Sequence, residues 1–571
     1  MRRLALLLLF FSFAPPSVRA ADPKSAVIRF EEIGEKAGAR YMHHTRGFKG
    51  EKAEVLEMFT SGGSAVAVGD YNNDGYDDMF LVDSDTGTPH HLLRNNGNMT
   101  FTDVTETAGV GGGNDSLSIC ADALWFDYDN DGWSDLMVVR FGTPVLYHNE
   151  RNGKFKDVSA KSGMTVFTNA IAAIAFDTDS DGDLDIMLGN YFKPVNLIEL
   201  KTPNVLPNDL DNAINGGGVT LYENTGNGVF VDITAKSGLA RQTGWTLDLG
   251  HGDFNNDGFQ DVYVACDYGT DRLFFNNGDG SFREVTETAL GYDTKKGMNA
   301  EVGDYDNDGW LDIYVTNITD EYMKECNMLW HNNGDGTFTD LSKETGTCGT
   351  LWGWAAKFGD FDNDGLQDIF AVNGLRSAGK DNYIPVVVNM IVTPGIDFTD
   401  VNNWPNIGNM TWSGYQKKKM FHNLGNQTFK EISAQAGVDN DLDGRGLGLA
   451  DFDNDGLIDM SQTNADQPSL LYRGTTERPG NWVQLKLSGV KSNRDAIGAR
   501  VTLKAGGVTM IREVNGGNGY SGQSTLLLHF GIGAATKIDD MEVRWPSGLV
   551  EKVAVPVNKI SRITEGKGAK R

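Results

Sequence analysis

Cysteine is scarce: four in 571 residues, too few to make a disulfide framework in a chain of this size. Cys326 and Cys348 flank one expected hairpin, where a bridge and two free thiols are equally open readings. Cys120 and Cys266 fall in expected core strands and read as buried thiols. Positive charge is short as well, with 50 Lys and Arg against 78 Asp and Glu and a net charge of −28. So acidic a surface repels nucleic acid and anionic membranes, and it points to cations or to solubility. No apolar run reaches the roughly 18 residues that a membrane span requires. Catalytic signatures are missing too: there is no H-E-x-x-H, no G-x-S-x-G and no Walker sequence. "GNGYSG" from Gly517 matches G-x-G-x-x-G, but a strand follows where dinucleotide binding requires a helix.

Helical periodicity is sparse, and 70 glycines stand against 15 prolines, which favours a β protein rich in turns. The chain opens with Arg2 and Arg3, an apolar run from Leu4 to Phe13, and Val18-Arg19-Ala20. Residues 1–20 therefore read as a secretory signal peptide, and the mature chain is expected to be secreted or periplasmic.

What is abundant is a nine-residue acidic loop, seven times over: "DYNNDGYDD", "DYDNDGWSD", "DTDSDGDLD", "DFNNDGFQD", "DYDNDGWLD", "DFDNDGLQD" and "DFDNDGLID". Each follows a stretch rich in Ala, Gly and Val and precedes an apolar one, so each joins two strands of a hairpin. A third strand follows ("LLRN", "LYHN", "LYEN", "LFFN", "LWHN", "MFHN", "LYRG"), then a turn and a short tail that begins with phenylalanine. The tails start at Phe30, Phe101, Phe155, Phe230, Phe282, Phe338 and Phe429. The first has no repeat before it, and the last repeat, ending near Gly474, has no tail. Phe30 thus reads as the missing fourth strand of the last repeat. The expected fold is all-β: a seven-bladed β-propeller over 27–476, closed by pairing of the N-terminal strand with the last blade. A β-sandwich array is the alternative, which needs no such closure. A small C-terminal β-sandwich is expected over 480–565, from "WVQLKL", "ARVTLK", "TLLLHF" and "MEVRW" separated by glycine turns.

Positions 1, 3, 5 and 9 of each loop carry oxygen donors. They are Asp70, Asn72, Asp74 and Asp78; Asp127, Asp129, Asp131 and Asp135; Asp177, Asp179, Asp181 and Asp185; and Asp253, Asn255, Asp257 and Asp261. The last three loops supply Asp304, Asp306, Asp308 and Asp312; Asp360, Asp362, Asp364 and Asp368; and Asp451, Asp453, Asp455 and Asp459. Alternate donors on a tightly turning backbone converge on one point, the glycine at position 6 permits the turn, and a carbonyl at position 7 is a further donor. The loops offer oxygen alone, without cysteine or histidine, so Ca2+ is expected at about seven sites. Seven divalent ions would halve the net charge.

These loops and tails resemble FG-GAP/VCBS repeats. From about Asn481, "DAIGARVTL", "REVNGGNGYSGQS", "LHFGIG" and "VRWPSG" resemble the ASPIC/UnbV domain of the cartilage acidic protein family. The resemblance implies a secreted propeller and carries the loop aspartates over as calcium ligands, while it supplies no catalytic residue. Vertebrate members end in an EGF-like module; none is visible here, since cysteine is lacking after Cys348, and a bacterial-type relative is expected.

Strand order sends the connections opposite the calcium loops to one face. Two of these are long, Tyr191 to Val219 and Gly374 to Lys419. The second carries Arg376, Tyr383, Trp404, Trp412 and Tyr415, which read either as a partner face for protein or carbohydrate or as rings that pack the insertion on the rim. His43, His44 and Glu57 lie on the same face as a candidate metal or acid–base group. The leading function is a calcium-binding scaffold. The alternatives are an enzyme acting on an extracellular polymer or secondary metabolite through that face, and a chain with an assembly role alone.

Overall fold

The computed structural model describes residues 26–48, 57, 60, 62–199, 205–226, 228–320 and 322–569. The leader assigned to 1–20 lies outside them. The chain is all-β, built from repeated antiparallel sheets. Each of seven units runs through four strands, and the second strand begins at the ninth loop residue: Asp78, Asp135, Asp185, Asp261, Asp312, Asp368 or Asp459. In the last unit the fourth strand is Phe30–Glu32, which pairs with Gln467–Gly474 in the register Phe30 to Gly474.

The first strands are Val66–Gly69, Ile119–Phe126, Thr168–Phe176, Trp245–Gly252, Glu301–Gly303, Gly353–Gly359 and Gly444–Ala450. Each touches the first strand of the next unit, and Gly444–Ala450 touches Val66–Gly69. Almost every residue in them is buried on both faces, which is why they read as small apolar runs instead of alternating patterns. The phenylalanine that opens each fourth strand is buried, and in six of the seven the two residues after it are exposed at the rim; in Phe338–Asp340 the last is half-buried. Cys326 and Cys348 are bridged, and Cys120 and Cys266 are buried free thiols.

Two four-stranded sheets follow. One orders Leu528–Gly533, Asn481–Ser488, Ile560–Thr564 and Gly568–Ala569; the other orders Val508–Glu513, Arg500–Ala505, Asp540–Arg544 and Val550–Lys552. They share an apolar core that includes Val483, Leu485, Val501, Leu503, Phe530 and Val543.

This C-terminal part is not a separate appendage. Its segment from Gly516 to Thr525 runs along the axis and hydrogen-bonds to the first-strand region of every unit. Val66 N–H donates to Ser521 O (3.1 Å), Ala175 N–H to Gly516 O (3.0 Å) and Thr525 N–H to Leu449 O (2.9 Å). Trp125 N–H donates to Gln523 Oε1 (2.7 Å), His251 N–H to Asn518 Oδ1 (2.9 Å) and Tyr520 N–H to Asn299 Oδ1 (3.0 Å). Lys357 Nζ donates to Gly522 O (2.9 Å), and Gly522–Gln523 pairs in parallel with Val66 and Ala67. Inner strand edges would otherwise carry unpaired backbone groups, and the segment satisfies part of them. Glycine is required for the fit: a Cβ on Gly446 would lie 2.2 Å from Ser521 O, and one on Gly516 would lie 1.8 Å from Ala175 O.

Candidate metal centre and the opposite face

All seven loops fold alike. The position-1 carboxylate accepts the glycine N–H at position 6 through Oδ2 in every one, for example Gly75 to Asp70 at 3.0 Å and Gly258 to Asp253 at 3.0 Å. The position-5 carboxylate accepts the N–H at position 7. Two consecutive turns are needed for this. Position 6 sits at φ 89° to 103°, and position 4 is left-handed as well: Asn73, Asn130, Ser180, Asn256, Asn307, Asn363 and Asn454 have φ 58° to 65°. Asparagine tolerates that region through local hydrogen bonding, which explains "NND" and "DND".

Position 4 does something more. Its amide reaches the glycine carbonyl of the next loop: Asn73 to Gly132 (2.9 Å), Asn130 to Gly182 (3.1 Å), Asn256 to Gly309 (3.5 Å), Asn307 to Gly365 (2.9 Å) and Asn363 to Gly456 (2.9 Å). Asn454 returns to Gly75 (3.2 Å), from the last loop to the first. Only Ser180, one group too short, leaves its step without this link.

With so many N–H groups spent on positions 1 and 5, the carboxylate oxygens left over belong to positions 3 and 9. Asp78 Oδ2, Asp135 Oδ2, Asp306 Oδ1, Asp362 Oδ1 and Asp453 Oδ1 are buried and have no hydrogen-bond partner. Oxygens of Asp127, Asp129 and Asp135, of Asp177, Asp179 and Asp185, and of Asp304, Asp306 and Asp312 gather within 4.8 Å of one another. Burial pushes Asp135 and Asp185 up to about 7, and Asp312 and Asp459 well above the carboxylate range. Oxygens converging from positions 1, 3 and 9, with unpartnered ones among those of 3 and 9, fit a hard cation that takes oxygen ligands.

The loops themselves offer oxygen alone, but histidines from the third strands lie beside three of them. His148, His331 and His422 reach the second, fifth and sixth loops, with Nδ1 3.2 Å from Asp135 Oδ1, 3.4 Å from Asp312 Oδ1 and 2.9 Å from Asp368 Oδ1. The third strand lies beside the second, so the residue before its last asparagine faces the loop. Hydrogen bonding to Asp312 pushes His331 up to about 9.

The C-terminal part covers this face and reaches all seven loops. Asp127 N–H donates to Asp495 (2.7 Å), Gly531 N–H to Asp360 Oδ2 (3.0 Å), Gln484 to Asp451 Oδ2 (2.9 Å) and Arg500 to Asp253 O (2.8 Å). Arg562 lies against Gly75, the Lys491 carbonyl against Gly182, and the Arg512 charge acts on Asp304. Basic side chains thus meet the acidic loops.

On the opposite face the two insertions touch, with Leu206 N–H donating to Thr399 O at 3.4 Å. Tyr383 is fully buried and donates to Pro405 O at 2.5 Å, while Trp404 and Trp412 are 7% and 6% exposed. Arg376 pairs with the backbone of Trp412 and donates to Gly408 O (3.1 Å). These rings pack the insertion on the scaffold, and of the five residues Tyr415 alone stands open, at 55%. The inner sides of Trp404 and Trp412 instead wall a cavity of about 110 Å³ with Trp352, Trp354, Tyr268 and Tyr322. His43, His44 and Glu57 are not brought into one group. Buried His43 meets Ser84 Oγ (3.1 Å), His44 meets Asp83 (2.8 Å), and Glu57 accepts from Phe48 N–H (3.1 Å).

Comparison with known proteins gives two family matches. The FG-GAP-like repeat matches residues 55–123, 127–188, 209–264, 253–315 and 319–371, and ASPIC and UnbV matches 489–570. Cartilage acidic protein 1 of Xenopus tropicalis is 24% identical over 503 residues, 77% of this chain and 72% of its own. Its Mus musculus counterpart is 23% identical over 487 residues, with the same coverage. Among solved structures, an Agrocybe aegerita lectin specific for non-reducing terminal N-acetylglucosamine is 16% identical. It covers 66% of this chain and 84% of its own at a TM-score of 0.37, a likeness too distant to carry function. Among the described residues no helix is long and apolar enough to cross a membrane.

Proposed function

Since this chain belongs to the cartilage acidic protein family of FG-GAP repeat proteins, we propose that it is an exported, calcium-stabilised seven-bladed propeller that binds a protein or carbohydrate partner. The ring closes where Phe30–Glu32 joins the last unit and where Asn454 links the seventh loop to the first. Calcium sits in the loops, held by positions 1, 3, 5 and 9.

The observation that carries the metal reading is the set of buried, unpartnered oxygens at positions 3 and 9. An anion without a partner is expensive to bury, and a cation removes that cost in the five loops that hold such oxygens, the first, second, fifth, sixth and seventh. At about 1 mM calcium and a site constant of about 10 μM, each site adds roughly 2.7 kcal/mol by mass action. Partner binding falls to the insertion face, because the C-terminal part lies over the loops and its axial segment runs through the centre, leaving there a cavity of about 170 Å³ between the two parts.

The test is calorimetric titration of the chelated, leader-free protein with calcium, with melting followed in parallel. About seven equivalents and a large rise in melting temperature are expected. Two equivalents or fewer, or a melt indifferent to chelator, would refute the proposal.

A further inference from the structure

We infer that the insertion face holds a pocket for a small, largely apolar molecule bearing one hydrogen-bond donor, of the alkylphenol type. The inference rests on the scaffold reading above and gives the ligand class of its open face.

Four departures from the repeat meet at this one cavity. Leu206 comes from the first insertion, Trp404 from the second, Tyr322 from the extra hairpin Thr319–Asp320 and Met323–Lys324 of the fifth unit, and Tyr520 from the axial segment of the C-terminal part. A regular propeller needs none of them. Their convergence on a single hollow, walled by tryptophan and tyrosine, is a built feature of this chain.

Size and chemistry narrow the occupant. An apolar cavity of about 150 Å³ accepts benzene, so about 110 Å³ limits the buried part of an occupant to a single ring at most, with any substituent at the mouth. Outside, the same insertions expose Ile391, Val392 and Ile214 at 40%, 67% and 68%. Apolar side chains so open suit a hydrocarbon tail.

Two polar groups of the wall are free among the described residues: Trp352 Nε1, buried without a partner, and one oxygen of Asp267. Asp267, 7% exposed, accepts Tyr191 O–H through Oδ2 at 2.5 Å and takes no other side-chain hydrogen bond among the described residues. Its Oδ1 is available to a ligand O–H or N–H. Lys296 is already engaged, 3.5 Å from Glu325 and 3.7 Å from Asp211. A hexose brings a hydroxyl on nearly every carbon, and a wall with one free carboxylate oxygen and one free indole N–H would leave most of them unpaired. A phenol O–H donates once and can accept, so it matches both groups.

The probe is 4-hexylphenol, titrated into the leader-free, calcium-loaded protein and read by tryptophan fluorescence. Saturable binding at one equivalent is expected, about tenfold weaker for hexylbenzene, which lacks the donor. Asp267→Asn and Ile391→Glu should each weaken 4-hexylphenol at least tenfold; Ile391 is exposed, so that variant folds. No saturation, or binding that both variants leave unchanged, would overturn the pocket. The same samples are melted with and without chelator. A calcium-dependent melt without alkylphenol binding sinks the pocket alone, whereas binding with a chelator-indifferent melt supports the pocket and removes the calcium scaffold.

Discussion

Lys357 is the cation on which the axial segment is fastened, and its removal is the sharpest test of that arrangement. It is 2% exposed, donates to Gly522 O (2.9 Å) and to Asn518 O, and lies 3.4 Å from Glu301 Oε2. Its charge also acts on buried Asp122 and Asp248. Lys357→Met keeps the bulk and removes the charge, which leaves Glu301 buried and unpaired and two carbonyls without a donor. Breaking one side of a buried pair costs about 3–5 kcal/mol, and that is the expected loss by urea unfolding. Glu301→Gln added to Lys357→Met removes the orphaned charge and should return about half of it, whereas independent sites would add. Amide exchange at Gly516 to Gln523 should rise in the single variant and not in distant strands. A loss below about 1 kcal/mol, or additive losses in the double variant, would show that the segment is not held by this cation.

Two further expectations follow from burial. Phe30→Ala removes the ring that packs edge-on against Phe361 at 5.4 Å in the strand that completes the last unit; a loss of about 3–5 kcal/mol is expected, and an unchanged melt would mean that this strand is dispensable. Burial raises Asp122 to about 7, so the wild-type contribution of this group is fully present below about pH 4 and is lost as pH rises through about 7. Asp122→Asn should therefore match wild type near pH 4 and exceed it at pH 8 by up to roughly 4 kcal/mol, at about 1.4 kcal/mol per unit; equal urea midpoints at pH 8 would refute the burial argument.

The repeat was legible because each unit uses the same residues for the same geometry: phenylalanine at the fourth strand, glycine where φ is left-handed, aspartate where the second strand begins. The pairing of Phe30 with Gly474 could be counted from the letters alone. Histidine at the loops was not read, although "LYHN", "LWHN" and "MFHN" contain it, because only the third strand's neighbour decides which way that residue faces. The asparagine links between loops escaped for the same reason, being contacts between units and not within one. The five residues chosen for a partner face all lie in the second insertion, but burial of Tyr383, Trp404 and Trp412 cannot be told from exposure by composition.

The axial segment was the largest omission, and its residues explain why. "NGGNGYSGQS" has no periodicity, and its glycines read as turn signals. Their real cause lies in the partner strands: Gly446 and Gly448 in "GRGLGLA", the alanines of "AIAAIAF", and Gly516 and Gly522 are small on both sides of one interface, since Cβ atoms there would meet backbone at 1.8 to 2.2 Å at Gly516, Gly446 and Gly522. Part of the crowd at the axis is a segment that lies 456 residues downstream of the strand it pairs with, Gly522 against Val66. That segment also decides where function can reside. With basic side chains against the acidic loops and the segment along the axis, a ligand that displaced the segment would break hydrogen bonds to all seven units. The insertion face, where Tyr520 emerges against Trp354 at 5.1 Å between ring centroids, is the end of the axis that recognition can use without that loss.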